Sequence, residues 1–101
     1  MRVHWTNTAL DHLLRIHEYH GLHSKSYATR IVDRLTRRSE QIGDFPNSGR
    51  RVPEYQRDDL REIVVRPYRL IYRIMANQID VVAVMHSTQQ LPRNPDNFGN
   101  E

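Results

Sequence analysis

The sequence predicts an α+β domain of two layers in the order β-α-α-β-β-β, an N-terminal helical hairpin packed on a mainly antiparallel four-stranded sheet. Three observations carry this. Two long stretches, from Thr8 to Gly21 and from Ser24 to Ile42, place apolar side chains at helical spacing with a very short link between them. Three later stretches, roughly 60–66, 69–75 and 78–86, read as strands, and tight turns make neighbours antiparallel. The chain has 101 residues with no repeat and no low-complexity linker, which fits one domain. We assign residues 1–90 to that domain and 91–101 to a polar, loosely held C-terminal tail.

Each element has its own signals. Arg2-Val-His-Trp5 alternates as a short first strand. Thr6, Asn7 and Thr8 offer capping side chains, and Thr8-x-x-Asp11 resembles a capping box. The first helix then presents Leu10, Leu13, Leu14 and His17 as its stripe and ends near Gly21. Ser24 caps the second helix, whose apolar face is Ala28, Ile31, Val32, Leu35 and Ile42. Arg30, Arg34, Arg37 and Arg38 lie largely off that face. Gly43 stops this helix and Pro46 prevents its resumption. A turn-rich connector, residues 44–54, leads to the three strands, which turn at Pro67-Tyr68 and at Ala76-Asn77-Gln78.

Composition bounds the chemistry. There are no cysteines, so disulfides and thiolate catalysis are excluded. No apolar run approaches the roughly 18 residues of a membrane span, and the N-terminus lacks the apolar core of a signal peptide. We therefore expect a soluble, cytoplasmic protein with no membrane partner. The formal net charge is +3, and fourteen of the fifteen basic residues are arginine. Arginine suits bidentate contact with phosphate or carboxylate, so an anionic partner is expected, nucleic acid or an acidic protein segment.

Strand parity says where that partner would sit. Leu70, Tyr72 and Ile74 share one face, which must meet the helices. Arg69 and Arg73 then fall on an open face with Ile71. Glu62, Val64 and Arg66 alternate against Ile63 and Val65, and Arg61 sits at a strand end from which it can snorkel outward. In the last strand, strict alternation groups Val82, Val84 and His86 against Val81, Ala83 and Met85. Residues 50–73 contain seven arginines and four acids, and Arg50 and Arg51 extend the basic surface. The candidate binding residues are Arg50, Arg51, Arg61, Arg66, Arg69 and Arg73. The alternative is a solvated face on which Glu62 pairs with a neighbouring arginine.

His17-x-x-His20-x-x-His23 has a metal-like rhythm, but no cysteine or placed carboxylate completes a ligand set, so we expect no metal and no cofactor. His86 closes the last strand with a group that titrates near neutrality, and Glu54 lies just after two arginines. His86 is the candidate general acid or base, and Glu54 is a candidate base beside arginines that would stabilise a phosphorane. No Gly-rich phosphate loop and no Ser-His-Asp set is present, and the catalytic residues, if any, are left open.

A resemblance covers about residues 2–92. Trp5-Thr6-x-x-Ala9-Leu10-Asp11-x-Leu13, Pro46-x-x-Gly49-Arg50, Val52-Pro53-Glu54, Arg61-Glu62-Ile63, the run Pro67 to Ile74 and the strand Ile79 to His86 together resemble the RelE/ParE toxin superfamily. The resemblance implies a toxin neutralised by a cognate antitoxin that wraps it, with operator DNA bound through that antitoxin. It implies one of two activities. The ParE-like branch inhibits DNA gyrase and is associated with plasmid stabilization and growth arrest. The RelE-like branch cleaves mRNA on the ribosome, and on that reading Glu54, Arg69, Arg73 and His86 would form the phosphate and proton-transfer site. Arg69 matches the arginine shared by both branches. The basic residues of the RelE-like branch find no counterpart near Leu60 and Glu62, and Ser87-Thr88-Gln89-Gln90 stands where many relatives carry an arginine. The ParE-like branch is therefore the better match.

Overall fold

The computed structural model describes residues 1–98. β1 (Arg2–Trp5) leads into α1 (Asn7–Gly21) and α2 (Lys25–Asp44). β2 (Arg50–Arg51), β3 (Leu60–Val65), β4 (Tyr68–Ile74) and β5 (Gln78–His86) follow, then a 3₁₀ turn at Pro95–Phe98. The expected α+β class and helical hairpin are present. The sheet has five strands, not four, in the order β1-β5-β4-β3-β2. The added strand is the two-residue β2, formed where the connector pairs Arg50 with Glu62 and Arg51 with Arg61. β1 runs parallel to β5, and the other neighbours are antiparallel.

The first helix starts earlier than its capping-box signal. Thr6 is the N-cap, accepting from the Ala9 N–H at 3.1 Å, while its own backbone N–H and hydroxyl both donate to the Val81 carbonyl at 3.1 Å. That anchor ties the helix start to β5 and sets its rotation. Ala9, Leu13 and Ile16 face the sheet, and Leu10 and Leu14, expected inside, are 48 % and 56 % exposed. Small Ala9 allows the close approach that Leu10 would not. Ser24 caps α2 as expected, accepting from the Tyr27 N–H. Ala28, Ile31, Leu35 and Ile42 are buried, with Val32 packed against them. Gly43 does not stop α2 but lies inside its last turn. A Cβ there would sit 2.7 Å from the Met1 carbonyl, so glycine is what lets β1 pass.

The main core lies between the helices and one face of the sheet, with Leu70, Tyr72, Ile79, Val81 and Val84 meeting Ile31, Leu35 and Ile42. Burial on this scale is the principal stabilising term. The other face is not open. Val52, Leu60, Ile71, Val82, Ala83 and Phe98 form a second small core, flanked by Tyr55, Met85 and Leu91. Two features that periodicity does not report build it. A bulge opposite Ile71–Tyr72 pairs Ile71 with Ala83 and Tyr72 with Val81, so Val82 is the extra residue. Val82 and Ala83 thus both face the second core, and the strict alternation expected of β5 fails there. The chain after residue 90 is also held. Tyr55 donates its hydroxyl to the Pro92 carbonyl at 2.5 Å, and its ring meets Phe98 edge-on. Residues 91–98 cover the sheet, and only 99–101 of the expected tail lie outside the described residues. Among the described residues no helix is long and apolar enough to cross a membrane.

Candidate functional site

The site is built around one buried carboxylate. Glu62 projects from β3 onto the second face with a side chain 0 % exposed. Arg69, on the adjacent β4, donates its Nε to Glu62 Oε1 at 2.7 Å, and its Nη2 also contacts that oxygen. Arg50 on β2 donates its Nε to Glu62 Oε2 at 2.7 Å. Glu54, from the connector, takes Arg69 on a two-pronged contact, Nη1 to Oε2 at 2.8 Å and Nη2 to Oε1 at 2.9 Å. Two guanidinium and two carboxylate groups therefore alternate as Arg50–Glu62–Arg69–Glu54. The cluster is neutral, and its centre is buried. Isolated charges there would be costly, and this alternation satisfies them with fork-shaped, charge-assisted bonds.

The electrostatics follow from these contacts. The hydrogen bonds from Arg69 hold the Glu54 carboxyl below its usual range. The same contact with Glu54 raises Arg69 above the ordinary arginine range, with Glu62 adding to it. Glu54 is thus a firmly ionised partner, a poor candidate for accepting and returning a proton at neutral pH.

The remaining sequence candidates scatter. Arg73 is 14 % exposed and lies under the C-terminal segment, with long contacts to the Pro95 carbonyl at 3.4 Å and to Asp96 at 3.5 Å. Arg61 curls back to donate to the Gly49 and Asp58 carbonyls, 3.0 Å each. Arg51 reaches exposed Asp58 at 3.4 Å. Arg66 is exposed and has no ion-pair partner among the described residues. Arg69 and Arg73, expected on an open face, are mostly covered because the connector and residues 91–98 close over them.

His86 is on the other side of the sheet. It pairs with Tyr68 across β4–β5, and its ring meets the Tyr68 ring at 5.8 Å, on the helix side. Its Nδ1 accepts from the Thr88 N–H at 3.2 Å. Arg69 pairs with Met85, facing the second core. The sheet itself therefore separates His86 from Glu54, Arg69 and Arg73. His20, in the middle of the histidine series, contacts the Tyr68 hydroxyl at 2.7 Å, and no group of three possible metal ligands gathers among the described residues.

Two features escaped the sequence reading. The basic side chains without a carboxylate partner are chiefly on α2, where Arg30, Arg34, Arg37 and Arg38 are exposed and none makes an ion pair among the described residues. The signal was available, since these positions fall on one stripe while Asp33 and Glu40 lie on another. The second is His12, half-buried beside β5, whose Nδ1 accepts from the Val84 N–H at 3.1 Å. Burial lowers its pKa from the ordinary value, aided by Arg15 and opposed by Asp11. A folded-state pKa below the unfolded one means that the unfolded chain binds the proton first on acidification. The contribution is complete above about pH 6.5 and is lost as pH falls below it. Melting should thus fall between about pH 7.5 and about pH 5.5, and the fall should shrink in His12→Gln. Equal slopes in calorimetric scans of the two proteins would contradict this role.

Comparison with known proteins agrees with this architecture. Toxin RelE2 of Caulobacter vibrioides is 30% identical over 89 residues, spanning 87% of this chain and 97% of its own. The candidate toxin Y4kP of Sinorhizobium fredii is 32% identical over 94 residues, 91% of this chain and 94% of its own. A solved structure of the chromosomal ParDE system from P. aeruginosa superposes with a TM-score of 0.73 over 85% of this chain and 95% of that chain; at 17% identity this is a likeness of fold. The family model for the ParE toxin of the type II toxin–antitoxin system parDE matches residues 3–91, and the chain belongs to that toxin family.

Proposed function

We propose that this ParE-family toxin arrests growth in the cytoplasm by binding DNA gyrase. A cognate antitoxin neutralises it, and the pair is recruited to operator DNA through the antitoxin. The observation that supports binding over cleavage is the division of the site by the sheet. Arg69 is saturated by two carboxylates, and His86 projects from the opposite face. Cleavage by 2′-hydroxyl attack needs a phosphate-stabilising cation and a proton-transfer group at one phosphodiester. The name of the relative RelE2 supports the competing reading, ribosome-dependent mRNA cleavage.

Gyrase supercoiling assays test the proposal. Purified toxin should block supercoiling of relaxed plasmid, and its expression without antitoxin should induce the SOS response. Unchanged supercoiling together with no SOS response would sink the gyrase reading. Primer extension on translated mRNA decides the alternative, because cuts at the A-site codon would mark the toxin as a ribosome-dependent nuclease.

A further inference from the structure

The edge of the sheet at β3 is unfinished. β2 pairs with β3 only at Arg61 and Glu62, so Ile63–Val65 has a strand neighbour on one side alone. The Val52 N–H donates to the Leu60 carbonyl, so Leu60 directs its backbone groups toward β2. Alternation places those of Glu62 and Val64 on the same side. Glu62 meets β2, but Val64 lies beyond it, and its N–H and C=O face outward with no strand partner among the described residues. Open strand edges of this kind are templates for an added strand.

The two flanks of that edge differ in chemistry. On the helix side, Arg34, Arg37, Arg38 and Gln41 of α2 overhang Val65 and line a shallow groove with it. These three arginines are exposed and unpaired among the described residues. On the other side lies Val64, an apolar side chain 44 % exposed, in a hollow it shares with Pro53 and with the paired charges of Arg50, Glu54 and Arg69. A strand laid along this edge would send alternate side chains to alternate flanks. Acids on one parity would meet the arginines, and apolar groups on the other would cover Val64.

We propose that the β3 edge and the α2 arginine stripe form one docking groove for an extended partner segment that alternates acidic and apolar residues, bound by strand addition. Backbone pairing supplies register, the arginines select for acid at every second position, and Val64 gives an apolar contact at the positions between. This inference does not depend on gyrase being the target, and a negative supercoiling result leaves it standing.

The probe is a labelled octapeptide alternating glutamate with valine, compared with a peptide of the same composition in two blocks. Fluorescence anisotropy should show the alternating peptide binding about tenfold more tightly than the block peptide, more weakly at higher salt. Arg34→Glu with Arg38→Glu should cost about tenfold or more, since both residues are on the surface. Val64→Pro removes the outward N–H together with the valine side chain and should cost about tenfold or more, whereas Val64→Ala, which keeps the N–H, should cost less, with circular dichroism unchanged in both. Equal binding of the two peptides, full binding by Val64→Pro, or displacement of the peptide by a short DNA duplex as readily as by unlabelled peptide would each overturn strand addition. In those cases the stripe is a general polyanion surface.

Discussion

Glu62→Gln should lower the unfolding free energy by about 3 kcal/mol, the lower end of the cost of breaking a buried ion pair. Glu62 is fully buried and receives both Arg50 and Arg69. An amide keeps the shape but removes the charge, leaving the Arg69 guanidinium uncompensated on one side. The cost stays at the low end because Glu54 still holds the other side of Arg69. Against a total stability of about 5–15 kcal/mol, such a loss brings the domain near its unfolding threshold. Tm should drop by about 12 °C or more. Glu54→Gln should cost far less, about 1 kcal/mol or below, since its side chain is 45 % exposed and water can replace it. Urea denaturation of the two variants and of Glu62→Gln with Arg69→Gln completes the test. Strong non-additivity is expected because the groups share one network. A Glu62→Gln protein within about 0.5 kcal/mol of wild type would show that the cluster contributes little.

Tyr72→Phe should destabilise by about 1–3 kcal/mol, although it removes a single oxygen. Tyr72 is fully buried in the main core, and burial pushes its phenol above the usual range, so it stays protonated. Its hydroxyl donates to the Pro46 carbonyl at 2.7 Å and accepts from the Gly49 N–H at 3.0 Å. Phenylalanine would strand both backbone groups where water has little access. Gly49 is held so closely that a Cβ would lie 2.7 Å from that hydroxyl and 2.6 Å from the Glu62 carbonyl. The connector that delivers Arg50 and Glu54 to the charged cluster therefore starts from this one bond pair. Hydrogen exchange should show a faster Gly49 amide in Tyr72→Phe. An unchanged Gly49 protection factor would mean the connector is positioned by something else.

Much of the architecture was legible because period and punctuation agreed. Ser24, the Ala28–Ile31–Leu35–Ile42 stripe and the hairpin turn at Pro67 each reported their own element. The inward trio Leu70, Tyr72 and Ile74 followed from parity alone. The failures have a common cause, which is contact at a distance along the chain. Thr6 turns α1 by bonding Val81, and nothing near Leu10 announces it. The bulge at Val82 appears only once β4 is laid beside β5. Arg69 looks like a free cation until Glu54 and Glu62 arrive from the connector and β3. A tail composed of prolines and polar residues reads as loose, yet Leu91 and Phe98 are enough to pin it.

The pairing of β1 with β5 has a consequence for the order of events during synthesis. Arg2 meets Gln78, a separation of 76 residues, so the first strand made is among the last to find its place. The α1–α2 hairpin can form early, but its floor consists of strands that emerge from residue 60 onward. Closing a loop of that span slows folding relative to a local hairpin. A ribosome translating this message thus carries an incomplete molecule until β5 has cleared the exit tunnel. Whatever the folded domain does, it can do only once β5 has emerged and β1 has paired with it.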